Sequence, residues 1–349
     1  NCTAEGVVGN HLYSGRALGL STPGDIIQLH PELQRHWDAI AAHYYRIGLP
    51  HTDSVIWDLD LKHLAAPIGH RPSVFYFGPA EYANWGDDRW LDTVEYINSK
   101  NNFMALADEL GVDVPKTLCF DSAAQIDADT RNSFPCPCYL KAAVSVSGVG
   151  IYRCEDVSEL EAAISRFDDG VPVQLQEEIV TQTFLNLQYR VVNNRLTRLT
   201  ASEQILDGFV HQGNRVPASH EPWQAVDVMA QWLKDRGIRG IFAFDVAVVQ
   251  TPQGLRFPAI ECNPRYNGAS YPTLIARKLA IPRWSSITLS TRHRSLEAID
   301  LSGIEYNPKT AQGVILVNWG TVAAGKLMVL LAGTAEQQEA LRLVLDQRL

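Results

Sequence analysis

The 349-residue sequence predicts an α/β (α+β) protein, with strands and helices mixed along its whole length. Three observations lead there. Amphipathic stretches such as "NSKNNFMALADELG" and "TAEQQEALRLVLDQ" carry helix caps at their ends. Apolar stretches such as "LNLQYRVVNNRLTRLT" alternate in pairs around Asn or Gly turns, the mark of β-hairpins. The composition, 46% hydrophobic and 20% charged, is that of a globular protein long enough for more than one core.

The elements follow in order. "HPELQRHWDAIAAHYYRIG" reads as a helix with Leu33, Trp37, Ile40, Ala41 and Tyr44 on one face and Gly48 as its stop. "SVIWDLDL" and the proline-bounded "PSVFYFGP" read as strands. Asn98 or Ser99 caps a helix that turns Phe103, Leu106 and Leu110 inward and ends at Gly111. "VPKTLCF" starts a strand, and "PCYLKAAVSVSGVGIYRC" is strand, Gly/Ser-rich turn, strand. "DVSELEAAISRF" is a helix, and "VPVQLQEEI" is a strand that turns polar at its end. "LNLQYRVVNNRLTRLTASEQIL" turns at Asn193 and Asn194. "EPWQAVDVMAQWLKDRG" is a helix with Pro222 near its first turn. "GIFAFDVAVVQTPQGLRFPAIECNP" is a hairpin around Pro252, Gln253 and Gly254. "GVILVNWGTVAAGKLMVLLAG" is broken by Asn318, Gly320, Gly325 and Lys326, so it reads as two strands and a turn, not a membrane span. Thr334 and Gln337 form the capping box of the last helix.

Bulk properties exclude several functions. A net charge of −9 argues against a nucleic-acid binder with a broadly basic surface. Six cysteines without regular spacing make no disulfide framework, and "CPC" (Cys136, Cys138) reads as small buried thiols rather than a metal site. No signal peptide is visible, so a reducing cytoplasm is the expected setting.

The chemistry gathers at the hairpin end "AIECNPRYNG". Side chains alternate between the faces of a strand, so Glu261 and Asn263 point one way and Cys262 the other. On the preceding strand Asp245 is the single acid among apolar neighbours, and a buried carboxylate needs a partner or a metal. A connection of three or five residues would set Asp245 opposite Glu261; one of four would offset them. Two carboxylates and an amide oxygen on one face suit Mg²⁺. Taken alone, a Glu261–Arg265 salt bridge at a strand end explains the cluster equally well. The "VSVSGVG" turn offers Ser145, Ser147, Gly148 and Gly150, whose N–H groups can close over phosphates, although it lacks the GK[ST] signature and no helix follows it directly. Lys141 stands just before that turn and Lys100 near a helix start, both as candidate phosphate ligands. Gln176, Glu177, Glu178 and Ile179 end a strand that can offer a base-binding edge, although the residues alone favour a strand running into an acidic loop.

In this order the elements resemble the ATP-grasp superfamily, typified by D-alanine–D-alanine ligase and biotin carboxylase. The resemblance rests on "SK…LADELGVDVPKT", "YLKAAVSVSGVG", "VQLQEEI" and "FAFDVAVV…AIECNPRYNG", and runs from about Asn98 to Pro272. It implies two lobes clasping ATP after a small α/β N-terminal domain. The boundaries would be 1–97 for that domain, 98–172 for the small lobe with its Gly/Ser loop, 173–300 for the large lobe with its metal site, and 301–349 for a C-terminal α/β closure. By the resemblance, Lys100 and Lys141 bind ATP phosphates, and Ser147, Gly148 and Gly150 lie in the covering loop. Gln176, Glu177 and Ile179 hold adenine, the last two through backbone groups. Asp245, Glu261 and Asn263 bind Mg²⁺ or Mn²⁺. Arg265 stabilises a phosphorylated or tetrahedral intermediate, and Arg190 meets the carboxylate substrate or the γ-phosphate.

The sequence departs from the family in having Lys141-Ala142 where Lys-Pro is frequent, and no acid in "VTQTFLN" where a ribose contact is expected. "HQGNRVP" resembles a Gly-Asn segment of peptide-ligase-like members. The resemblance implies an ADP-forming carboxylate–amine ligase working through an acyl phosphate on small-molecule substrates, with no nucleic acid or membrane partner, and it allows a homodimer. A kinase of the same fold and a non-catalytic nucleotide-binding regulator are the competing expectations.

Overall fold

The computed structural model describes residues 8–65, 69–145, 150–208 and 210–349. The chain divides into two compact units. One comprises Asp87–Ala201 and His220–Arg265; the other comprises Asn1–Gly86, Ser202–Ser219 and Tyr266–Leu349. The strand Arg195–Asp207 gives its first part to the former and the rest to the latter.

Besides the two-stranded hairpin sheet of Val249–Thr251 and Gly254–Arg256, the first unit carries two antiparallel sheets. The smaller has the strand order Thr117–Phe120, Val173–Glu177, Cys138–Ala142, Ile151–Cys154. Its alternation sorts two faces. Leu140, Leu175, Val173 and Cys154 are buried together with Leu160 and Ala163 of the helix Val157–Ile164. Lys141, Gln174 and Gln176 point to the opposite face. Asp156 starts that helix by accepting the Glu159 N–H at 2.9 Å.

The larger sheet contributes Ala259–Asn263, Gly240–Ala247, Phe184–Val192 and Arg195–Asp207, in that order. Asn193 and Asn194 both take left-handed φ (52° and 59°), as a two-residue hairpin turn matched to strand twist requires. One face buries Leu185, Leu187, Tyr189, Phe242 and Phe244. Tyr189 stacks on Phe242 with ring centroids 5.5 Å apart, and Phe103 of the helix Lys100–Leu110 meets Phe244 at 6.4 Å. With the apolar face so covered, the polar residues of the same strands are left to the other face.

The second unit carries the strands Val210–Val216, Trp284–Ser290, Lys326–Ala332 and Gly313–Asn318, all antiparallel. Its core joins Leu33, Ile40 and Tyr44 of the N-terminal region to Trp284, Trp319 and Leu327. The final helix Ala335–Arg348 keeps its Thr334–Gln337 capping box, with both reciprocal bonds formed.

Three expectations need correction. Residues 72–78 form no strand: instead of a ladder the stretch has an isolated backbone bond, the Phe75 carbonyl accepting the Tyr266 N–H at 3.1 Å, although Phe77 is buried. The helix expected from His30 opens as a 3₁₀ segment, Pro31–His36, before the α-helix Trp37–Arg46. The Pro222 helix begins only at Asp227, after a 3₁₀ turn over Trp223–Ala225.

Candidate active site

The hairpin register explains how the acids meet. Thr251 pairs with Gly254, Val249 with Arg256 and Val246 with Ala259, but Asp245 pairs with Glu261. A two-residue turn alone would set Asp245 opposite Ile260. The register shift between Asp245 and Val246 makes Ile260 the extra residue of a β-bulge, which restores the acid-to-acid pairing. Ala243 then faces Asn263, so Asp245, Glu261 and Asn263 share one face, while Cys262 faces Phe244 on the buried side.

A residue that the sequence reading missed completes this face. Asn186 pairs with Asp245 on the neighbouring strand and donates its Nδ2 to Asp245 Oδ1 at 2.7 Å. Asn263 donates its Nδ2 to Asp245 Oδ2 at 3.1 Å, which leaves its carbonyl oxygen for a cation. The available signal was the polar Asn186 and Gln188 at alternate positions of an otherwise apolar strand, both buried. Arg190 continues that row opposite Ile241. It is exposed, and lies four residue pairs beyond the Asp245–Asn186 pair.

Cations converge on the acids. Ser99, rather than Asn98, caps the helix Lys100–Leu110, its Oγ accepting the Asn102 N–H at 3.4 Å. Lys100 is therefore the first helical residue, where the helix dipole disfavours a cation, so helix stability does not account for its place. Its backbone N–H donates to Ala143 O at 2.7 Å, and its Nζ donates to Ser145 Oγ at 3.0 Å and lies 3.4 Å from Glu261 Oε2. Lys141 donates its Nζ to Gln176 Oε1 at 2.6 Å, and Gln176 Nε2 donates to Thr117 Oγ1 at 3.0 Å, so the Gln176 amide is engaged at both ends. Arg265 lines a small polar pocket with Lys100, Ser145, Glu261 and Asn263.

The electrostatics are unbalanced. Burial and then the Glu261 charge push the Asp245 carboxyl up to about 7, against Asn186, Arg265 and Asn263. Burial also pushes Glu261 up, but Lys100, Lys141 and Arg265 together outweigh it and hold that carboxyl below its ordinary value. Burial lowers Lys141 to about 8, with Glu261 opposing and Lys100 assisting. Two facing carboxylates repel each other, and a divalent cation held between them would relieve that repulsion. The all-oxygen donor set of two carboxylates and one amide carbonyl fits a hard cation such as Mg²⁺ or Mn²⁺.

The strand end is also defined. Glu177 accepts on its Oε1, at 2.8 Å, the N–H of Lys116, which directly precedes the neighbouring strand Thr117–Phe120, and Ile179 follows half-buried. Gly150 has φ +72°, and its carbonyl accepts the Ala142 N–H at 2.8 Å, closing the base of the Gly/Ser turn. Ser147 and Gly148 lie outside the described residues. Gln174, fully buried beside Lys141, has neither amide atom hydrogen-bonded.

Comparison with solved structures places the architecture. Carboxyaminoimidazole ribonucleotide synthase from Aspergillus clavatus, complexed with ATP, superposes with a TM-score of 0.56 at 12% identity, covering 91% of this chain and 95% of that one. N5-carboxyaminoimidazole synthetase from Staphylococcus aureus, complexed with ADP, gives 0.52 at 12%, covering 73% and 72%. Biotin carboxylase from Campylobacter jejuni, in a β,γ-ATP complex, gives 0.51 at 14%, covering 69% and 64%. The fold is ATP-grasp. No protein-family model and no curated protein sequence matches the chain, so the likeness to ATP-grasp proteins lies in structure. No helix among the described residues is long and apolar enough to cross a membrane.

Proposed function

We propose that the protein is an ADP-forming ligase that joins a carboxylate to an amine through an acyl phosphate, on amino-acid or peptide-like substrates. The observation that carries this reading is the Asp245–Glu261 pair on one sheet face with Lys100 Nζ 3.4 Å from Glu261 Oε2, and with Lys141 attracted to Glu261. The ATP-grasp fold supports it.

In this reading Lys100 and Lys141 neutralise ATP phosphate oxygens. A Lys141 held near 8 is still mostly protonated at neutral pH, as a phosphate ligand must be. Gln176 orients Lys141, and the backbone of Glu177 and Ile179 forms the adenine edge. Ser147, Gly148 and Gly150 belong to the loop that covers the phosphates and keeps water from the acyl phosphate. Asp245, Glu261 and Asn263 would hold Mg²⁺ or Mn²⁺, which when bound supplies charge neutralisation of phosphate oxygens. Arg190, on the same face, receives the substrate carboxylate. The carboxylate attacks the γ-phosphorus in line and ADP leaves. The amine then attacks the activated carbonyl and phosphate leaves, with Arg265 beside the developing oxyanion. Positioning and charge compensation carry phosphoryl transfer, so no protein acid or base is needed for the first step.

The test is an ADP-release screen of carboxylates against amines, with mass spectrometry of the products. ADP release that requires both partners, with an amide formed, supports the ligase. Release driven by an alcohol, yielding a phosphorylated product, would replace it with a kinase.

A further inference from the structure

The "CPC" segment does not hold two equivalent buried thiols. Cys138 is fully buried, but Cys136 is exposed, and their sulfurs lie 3.9 Å apart. Cys138 sits opposite Glu177 in the sheet, and the carbonyl of the intervening Pro137 accepts the Glu178 N–H at 3.2 Å. The segment therefore holds the strand end whose backbone, in the reading above, forms the adenine edge. We propose that Cys136 and Cys138 are a peroxide-sensitive dithiol whose oxidation to a disulfide weakens nucleotide binding at this edge. This inference rests on the ATP-binding reading of the site.

The chemistry balances with hydrogen peroxide as the oxidant. Solvent-facing Cys136 attacks the peroxide O–O bond, forming a sulfenic acid and releasing water. Cys138 then attacks the Cys136 sulfur. The departing hydroxide takes the Cys138 proton and leaves as a second water, so two thiols and one peroxide become one disulfide and two waters. The hydrogen bond with Cys154 and burial keep Cys138 protonated at rest, so its proton must leave as its sulfur attacks, which makes this the slower of the two steps. Closing 3.9 Å to the roughly 2.05 Å of a disulfide must twist the segment between the two sulfurs, and Pro137 lies in that segment.

Peptide mapping reads the first half of the inference. The tryptic peptide spanning residues 132–141 contains both cysteines, whereas Cys154 begins the one at 154–166. After treatment with one equivalent of hydrogen peroxide, the 132–141 peptide should lose two hydrogens and resist alkylation, in the wild type and in Cys154→Ser but not in Cys136→Ser. Two alkylatable thiols in that peptide, or a cross-link to 154–166, would overturn the assignment. Calorimetric ATP binding reads the second half. Oxidation should weaken binding about fivefold, the weight of one hydrogen bond, and Cys136→Ser should bind equally before and after peroxide. Equal affinity of reduced and oxidised wild type would overturn the switch alone. Reduced protein that binds no ATP would overturn the ligase reading itself.

Discussion

The cluster of His43, Arg46 and Glu305 and the cluster of Lys100, Asp245 and Glu261 use similar charged groups, but only the first is internally settled. Glu305 Oε1 receives the His43 ring nitrogen at 2.7 Å and Arg46 Nη2 at 2.7 Å, and its Oε2 receives Arg46 Nε at 2.8 Å. The other His43 nitrogen accepts the Leu316 N–H at 3.1 Å. Burial alone would raise Glu305, yet Arg46 and His43 bring it down to about 2. In the second cluster burial and a facing carboxylate leave Asp245 near 7, and burial leaves Lys141 near 8. The first arrangement completes itself and needs no ligand. The second places acid against acid and cation against cation, which in the proposed reading a bound cation and a polyanion would complete.

Variants at the two clusters should therefore behave in opposite ways. The largest effect belongs to Glu261→Gln, which should lower ADP formation about a thousandfold while circular dichroism shows the fold intact. Full activity would remove the cation assignment. Lys141→Ala should raise the KM for ATP about tenfold or more, since one charge-assisted phosphate contact is lost; unchanged ATP kinetics would count against Lys141 as a phosphate ligand. Glu305→Gln should leave ADP formation per folded molecule unchanged and lower stability by about 2 kcal/mol, read by urea denaturation. Because Glu305 is depressed in the fold, its contribution is present above the ordinary carboxylate pKa and fades as pH falls toward 2. The gap between wild type and variant should therefore close in acid.

The smallest effect is the most telling about sign. Asp245 is raised to about 7, so its ionisation weakens the metal-free fold progressively from about pH 4 and fully above 7. Asp245→Asn should therefore melt about 2 °C higher than wild type at pH 8 without metal, and at the same temperature near pH 4. A variant less stable at pH 8 would show that Asp245 is as settled as Glu305.

Much of this difference was legible in the residues. Period-two alternation put Glu261 and Asn263 on one face, and Asp245 stood out as the lone acid of its strand. The pairing itself was not legible, because alternation sorts faces but not opposite partners, and a bulge at Ile260 has no compositional mark. Asn186 was hidden for the same reason: its strand lies more than fifty residues earlier in the chain, and only the sheet order brings it beside Asp245. The apolar stretch at 72–78 misled in the other direction, since strand-like composition does not say whether a partner strand lies beside it. The cap at Ser99 was one of two readings, and the choice mattered, because it makes Lys100 the first residue of its helix.

The most direct test of the central claim is electron paramagnetic resonance of Mn²⁺ titrated into the protein with ATP. The account predicts about one Mn²⁺ retained per chain, by occupancy of the Asp245–Glu261 face, in the wild type and in Glu305→Gln, and its loss in Glu261→Gln. Equal Mn²⁺ retention by Glu261→Gln and the wild type would contradict it.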